Sequence, residues 1–271
     1  MKKVILITGA SSGMGRAFAL DLIAAGHIVY GGARRTDRMR DLVMAGGHAM
    51  ALDMTDDASL KAAVRRVLEE QGRIDVLINN AGYAIYGSVE ETDVADARRQ
   101  FEVNLFGLGR LTQLVVPHMR AQRSGRIINI SSMGGRMYKP LGAWYHASKH
   151  ALEGWSDCLR LELAPFGIHV TLMEPGIIRT EFADVMSGPM LARSGAGPYG
   201  DLARRVAKGA DEGRDGGRGS DPAVVARAVR RAVEDHRPRT RHAVGFLARP
   251  VMWMRKWLGD RLFDRIILKA A

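Results

Sequence analysis

Residues 4–15 read VILITGASSGMG: five apolar or β-branched residues, then three glycines among small side chains, then a run of good helix formers from Arg16. A buried strand therefore feeds a glycine turn that opens directly into a helix. Gly9 permits the tight turn, and Gly13 and Gly15 let backbone come close to a ligand and to the sheet. Ser11, Ser12 and Met14 fall where a helix N-terminus offers free N–H groups and a positive dipole end to phosphates. Three residues separate Gly9 from Gly13, so the spacing departs from GxGxxG. Its position between a strand and a helix is what makes the loop a dinucleotide-binding candidate.

Outward from this loop, short apolar runs alternate with longer helix-periodic stretches. Strands are predicted over 4–8, 28–31, 49–52, 76–78, 126–130 and 169–173, with a last one over 241–246. Helices are predicted near 15–25, 57–71, 94–122, 144–165 and 222–235, the last starting at Asp221-Pro222. The alternation predicts an α/β fold: a Rossmann-like, doubly wound parallel sheet of about seven strands with helices on both faces. Residues 209–220 (GADEGRDGGRGS) read as a mobile loop within the domain. One domain over 1–249, with a substrate loop at about 177–220, precedes a C-terminal helical extension over 250–271.

The end of the second strand decides the cofactor. A dinucleotide fold that binds a ribose 2′-hydroxyl places a carboxylate there. Here the stretch is Tyr30-Gly31-Gly32-Ala33-Arg34-Arg35. Two guanidinium groups replace the acid and suit a 2′-phosphate, which favours NADP(H) over NAD(H). Solvated helix-start residues are the alternative reading of that pair. Asp53, closing the third strand, suits either an adenine amino group or a helix N-cap.

The chemistry points to residues 131–149, SSMGGRMYKPLGAWYHASK. Ser131 and Ser132 close an apolar strand. Tyr145 and Lys149 lie one turn apart on the following helix, on one face. An ammonium beside a phenol lowers its pKa from roughly 10 and makes it a usable proton donor and acceptor. A serine hydroxyl from the strand end can hold the substrate oxygen; spacing favours Ser132 over Ser131. His146, about 100° round the helix from Tyr145, is given no role.

Together these residues make the chain resemble the short-chain dehydrogenase/reductase family, in its main single-domain branch. TGASSGMG at 8–15, NNAG at 79–82, Asn104 in FEVNLFG, the set Ser132, Tyr145 and Lys149, and Pro175-Gly176 followed by Ile178 and Thr180 carry the resemblance over residues 3–180. It implies hydride exchange between a nicotinamide and a carbonyl or secondary alcohol. Tyr145 moves the proton, Lys149 tunes it and binds the ribose, Ser132 positions the oxygen, and Asn104 holds a relay water. It further implies that Asn80, Ala81 and Gly82 flank the adenosine, and that Pro175, Gly176, Ile178 and Thr180 line the nicotinamide. Phe182, Met186, Met190 and Leu191 then form a flexible apolar lid, which points to a lipophilic substrate. Pairing of the long helices into a homodimer or homotetramer is also implied. A non-catalytic, NADP-sensing regulator is the rival class.

Composition sets the remaining bounds. The 271 residues are 46% hydrophobic and 25% charged, which suits one soluble domain with a sizeable core. The single cysteine, Cys158, excludes internal disulfides and CxxC metal or redox chemistry, and its place in a periodic helix predicts burial. The N-terminal apolar run is too short for a signal peptide, so a cytoplasmic setting is expected. A net charge of +11 comes without any nucleic-acid-reading motif. The tail mixes Trp253, Trp257, Phe263 and Ile266 with Arg255, Lys256 and Arg265. Split at Gly259, it predicts two amphipathic helices that pack on the domain or a partner subunit, or touch a membrane surface.

Overall fold

The computed structural model describes residues 2–215, 217 and 219–270, with backbone alone at 183, 184 and 213–215. Among these residues seven strands form one parallel sheet: β1 (Val4–Thr8), β2 (Ile28–Ala33), β3 (His48–Ala51), β4 (Val76–Asn79), β5 (Gly125–Ile130), β6 (Ile168–Pro175) and β7 (Arg241–Val244). Their order is β3-β2-β1-β4-β5-β6-β7. The chain winds one way from β1 to β3 and the other way from β4 to β7. The loops leaving β1 and β4 therefore diverge, and the crevice between them lies at the C-terminal strand ends.

The helices are α1 (Gly13–Ala24), α2 (Arg40–Met44), α3 (Asp57–Gln71), α4 (Val94–Phe101), α5 (Leu108–Ala121), α6 (Ala143–Leu163), α7 (Phe182–Ser194), α8 (Gly200–Asp215), α9 (Pro222–Glu234), α10 (Ala248–Trp257) and α11 (Gly259–Ala270). Alternation along β1 divides the core. Ile5 and Ile7 join Phe18 and Leu22 of α1 and Val225, Val229 and Val233 of α9 on one face. Val4 and Leu6 join Leu60 and Val67 of α3, Leu111 and Val115 of α5 and Leu152 of α6 on the other. The two-residue period of a strand thus feeds two apolar layers at once. The predicted start at Asp221-Pro222 is present: the Asp221 carboxylate accepts from the Ala223 N–H at 2.8 Å.

Four expectations are corrected. The helix predicted over 94–122 is interrupted by a π-helical turn, Glu102–Gly107, which contains Asn104. At its end the Gly107 backbone runs against Met54, whose carbonyl oxygen would lie 2.0 Å from any added Cβ. Second, α8 continues through Asp215, so the predicted loop begins later; positions 216 and 218 lie outside the described residues. The apolar stripe of Ala203, Val206 and Ala207, all buried, outweighs the low helix propensity of Gly209. Third, Cys158 is exposed rather than buried. The buried stripe of α6 runs through Leu152, Ser156 and Leu163, and Cys158 sits about 200° round from Ser156. Fourth, the expected lid does not present one apolar face: Met186 and Met190 are buried, while Phe182 and Leu191 are 39% and 36% exposed.

The tail folds back on its own domain. Val251, Phe263 and Ile267 are buried with Met137, beside Met133, Tyr138 and Met254. The Tyr138 hydroxyl donates to Asp264 at 2.8 Å, and its ring meets the Phe263 ring at 5.3 Å. Gly259, at φ +68°, separates α10 from α11. Trp253 and Trp257, one turn apart on α10, remain 60% and 63% exposed.

Candidate active site

The loop after β1 is held open by its neighbours. Asn80 donates through Nδ2 to the carbonyls of Thr8 at 3.0 Å and Gly9 at 3.1 Å. The Thr8 hydroxyl accepts from the N–H groups of Asn80 and Ala81, at 3.0 and 2.9 Å. Gly9, at φ +70°, and Gly13, at φ +53°, take conformations that other residues adopt at a cost. A Cβ on Gly15 would lie 2.2 Å from the Gly9 carbonyl oxygen, so that close approach requires glycine. The first turn of α1 carries no acidic residue, and Ser12 makes no side-chain cap. Its leading N–H groups stay unclaimed by side chains and keep the positive end of the dipole free. Across the crevice Thr180 faces Gly13, with Cβ and Cγ2 3.5 Å from where a Cβ would sit. This uncapped glycine cradle fits the pyrophosphate of a dinucleotide.

At the end of β2, Arg34 and Arg35 are exposed, and the positive charge of Arg34 helps hold Asp53 below the usual carboxylate range. Hydrogen bonds from the Thr55 backbone and side chain act on Asp53 in the same direction, the backbone one most strongly. Asp53 therefore closes its own turn, and the α3 N-cap is Asp56, which accepts from Ala58. After β6, Gly176 packs so tightly on Phe246 that an added Cβ would lie 2.1 Å from its carbonyl oxygen. Ile177 bridges Phe246, and Ile178 bridges Ser220.

Ser132 lies beside Tyr145, and Lys149 follows Tyr145 by one turn on α6. Tyr145 is 8% exposed with the Ser132 side chain beside its hydroxyl, and Ser132 Oγ accepts from the Gly134 N–H at 3.0 Å. Ser131 turns away, with its Oγ buried and unpaired. Lys149 Nζ donates to the Ile130 carbonyl at 2.9 Å. A Cβ on Gly82 would lie 3.0 Å from Asn104 Oδ1 and 3.7 Å from Lys149 Nζ, so both side chains border the same point. The Asn104 amide is held in place: Nδ2 donates to the Tyr83 carbonyl and Ser148 Oγ, and Oδ1 accepts from the Tyr83 N–H.

The electrostatics correct one expectation. Burial pushes the Tyr145 phenol above its ordinary value, and the Ser132 side chain beside it only partly opposes this. Burial also lowers Lys149 to about 8, against the supporting charge of Glu153. The ammonium is spent on a backbone carbonyl, so the predicted phenolate is not favoured in this arrangement.

Tyr86 and His146, to which the residue spacing gives no role, shape the site. Tyr86 lies with its ring 5.9 Å from Tyr145, and Phe182 covers the other approach at 5.7 Å. With Ala84, Leu141, Met186 and Met190 they form a largely apolar enclosure. The lid is therefore helical and packed, and Arg193 of α7 fastens it to the Tyr86 carbonyl at 2.6 Å. His146 is 5% exposed; Nδ1 bonds the Gly134 carbonyl at 2.9 Å, and Nε2 accepts from the Lys139 N–H at 3.1 Å. It ties together the segment that joins Ser132 to Tyr145. No spacing rule signals either Tyr86 or His146, because both act through contacts between distant elements.

With this geometry in place, comparison with known proteins agrees. The sequence pattern of the short chain dehydrogenase family matches residues 3–188. The chain belongs to that family of oxidoreductases. It is 38% identical over 263 residues to a 3-ketodihydrosphingosine reductase of Bacteroides thetaiotaomicron, covering 97% of this chain and 95% of that protein. A crystal structure of a short-chain dehydrogenase from Streptomyces avermitilis superposes with a TM-score of 0.79 at 36% identity, covering 99% and 94% of the two chains. Two further neighbours were solved with cofactor. A 3-ketoacyl-(acyl-carrier-protein) reductase from Brucella melitensis holds NADH (TM-score 0.70, 27% identity, covering 86% and 91%). A serine dehydrogenase holds NADP+ (TM-score 0.74, 28% identity, covering 85% and 89%).

Proposed function

We propose that the chain is an NADP(H)-dependent oxidoreductase that interconverts a carbonyl and a secondary alcohol on a lipophilic substrate, with Tyr145 as the proton donor and acceptor. The observation that carries this reading is Tyr145 itself: buried, with the Ser132 side chain beside it, and enclosed by Tyr86, Phe182, Met186 and Met190. Ser132 and Tyr145 together offer two hydroxyl groups to one substrate oxygen. The phenol keeps its proton at neutral pH, so it is in the form that reduction requires, with a proton to give as a carbonyl oxygen gains charge. A nicotinamide dinucleotide bound along the α1 N-terminus supplies the hydride. Lys149, bordering Gly82 and Asn104, would bind the nicotinamide ribose and resupply the proton that Tyr145 gives up. Asn104 braces the Tyr83 backbone beside it. Arg34 and Arg35 would hold a 2′-phosphate, Asp53 and the segment 80–82 would bind the adenosine, and Pro175, Gly176, Ile178 and Thr180 would line the nicotinamide.

The enclosure offers apolar surface around Tyr145, which supports a lipophilic substrate. The similarity to a 3-ketodihydrosphingosine reductase agrees with this direction. A panel of carbonyls and alcohols followed by NADPH absorbance tests the reading. Tyr145→Phe lowers turnover by about 10²- to 10⁴-fold while leaving NADPH binding within a few-fold. A mutant with normal turnover rejects the assignment, and a wild type inert on the whole panel favours a nucleotide-sensing role.

The reading extends to the surface of the molecule. Val94, Phe106 and Leu161 project into solvent from the long helices, and we assign them to contact with a second copy of the chain. Trp253 and Trp257, together with the cationic tail, are assigned to weak contact with an anionic lipid surface.

A further inference from the structure

A second cleft, of about 420 Å³, contains none of the residues assigned above to cofactor or substrate. Gly135, Arg136, His150, Glu153, Asp157 and Arg241 line it. On its inner side Glu153 of α6 and Glu174 of β6 are 5% and 4% exposed. Two carboxyl groups buried together are costly unless they are paired with cations or share a proton.

The first condition is met in part by two arginines. Arg241, at the start of β7, places Nε 3.1 Å from Glu153 Oε2 and 3.5 Å from Glu174 Oε1, and Nη2 2.6 Å from Asp157 Oδ2. Arg136, from the segment after β5, reaches Glu174 at 3.5 Å and Glu153 at 4.0 Å. Glu153 Oε1 and Ser131 Oγ are buried and unpaired. Gly135 runs between them: an added Cβ would lie 2.8 Å from Ser131 Oγ and 3.0 Å from Glu153 Cγ. Burial, and then the charge of Glu153, push Glu174 up to about 7, with both arginines opposing. The charged groups facing the pair are thus Lys149 and Asp157 on α6, Arg136 on the loop and Arg241 on β7, with His150 at the cleft wall.

The cluster connects to the active site through one helical turn. Glu153 follows Lys149 by four residues, and its charge opposes the desolvation of that lysine. We propose that Glu153 and Glu174, clamped by Arg241 and Arg136, form a proton-sharing carboxyl pair that governs the charge of Lys149 and so acts as a positioning pair for proton transfer. When the pair holds its proton it carries one negative charge. When it releases that proton it carries two, and the ammonium of Lys149 is held more firmly. The pair ionises just as rising pH begins to strip Lys149, so it extends the pH range over which the lysine stays charged. This inference rests on the role proposed above for Lys149.

Two arms test it on the full chain. Carbon-13 NMR of glutamate carboxyl groups, with or without turnover, reads the pair directly. One resonance titrates near neutral pH in the wild type, is missing from Glu174→Gln, and moves to lower pH in Glu153→Gln, where the like charge is gone. If every glutamate titrates below about pH 5.5, near its ordinary range, the pair is refuted. Should Glu174→Gln fail to fold, an unmoved midpoint in Glu153→Gln refutes the pair equally. The second arm is the pH profile of kcat. Glu174→Gln matches the wild type below neutral pH and loses activity about one pH unit earlier on the alkaline side. Superimposable profiles, or a uniform loss at every pH, overturn the link to Lys149. The NMR arm needs no catalysis, so its failure is distinct from a failure of Tyr145→Phe.

Discussion

His146 shows how a side chain beside the reacting phenol earns its place without touching substrate. Its imidazole accepts from Lys139 and bonds the Gly134 carbonyl, which requires the neutral ring. Burial accordingly lowers it from 6.5 to about 4. A group depressed in the fold contributes stability that is present above its unfolded pKa and lost as pH falls through its folded one. Thermal denaturation is therefore expected to show a loss between pH 6.5 and 4, amounting to about 3 kcal/mol by pH 4 from this residue. His146→Gln, which takes no proton, gives a shallower fall; an identical slope in both proteins rejects the explanation. At the same scale, Arg34 stands exposed near Asp53 with no acidic neighbour on β2. Arg34→Asp is expected to lower the kcat/KM ratio of NADPH to NADH by about tenfold or more, the worth of one charge-assisted hydrogen bond. An unchanged ratio removes Arg34 from the cofactor site.

Among the elements, the tail is the one whose sequence leaves most open. Its two helices look alike in composition, yet Phe263 and Ile267 of α11 go under cover while Trp253 and Trp257 of α10 do not. Arg255 lies over the Tyr138 ring at 5.0 Å, so one cation belongs to the internal contact. Lys256 stays outside, over Trp257 at 4.8 Å. A helix pair with one face docked and two tryptophans outside is suited to an interfacial surface. The double variant Trp253→Ser, Trp257→Ser is expected to lose cosedimentation with vesicles containing phosphatidylglycerol while keeping its thermal midpoint. Equal pelleting of variant and parent excludes the lipid contact. The π-helical turn is the other element without a signal in the residues. FEVNLFG carries no mark of where the wider turn falls, and at its end the Gly107 backbone packs against Met54.

For the whole molecule, the sheet order puts the glycine cradle, the Asn80 brace and the Ser132–Tyr145 pair at one end of the sheet. α7 and α8 close over that end. Phe106, at 57% exposure, and Leu161, at 70%, belong to segments that cover the sheet's other sides. The double variant Phe106→Ser, Leu161→Ser is expected to lower the mass measured by size-exclusion chromatography with light scattering; an unchanged mass moves the self-contact elsewhere.

What the amino-acid sequence determined by itself is whatever depends on neighbours in the chain. The alternation of β1, the glycines of its following turn, the Asp221-Pro222 helix start and the one-turn spacing of Tyr145 to Lys149 are all local, and all were readable. What only the tertiary structure decided is what depends on who meets whom across the sheet. Burial raises the Tyr145 phenol instead of lowering it, turns Lys149 to the Ile130 carbonyl, exposes Cys158, seats Tyr86 against the reacting ring, and brings Glu153 to Glu174. Desolvation and long-range pairing set those outcomes, and neither is written in the spacing of residues along a strand or helix.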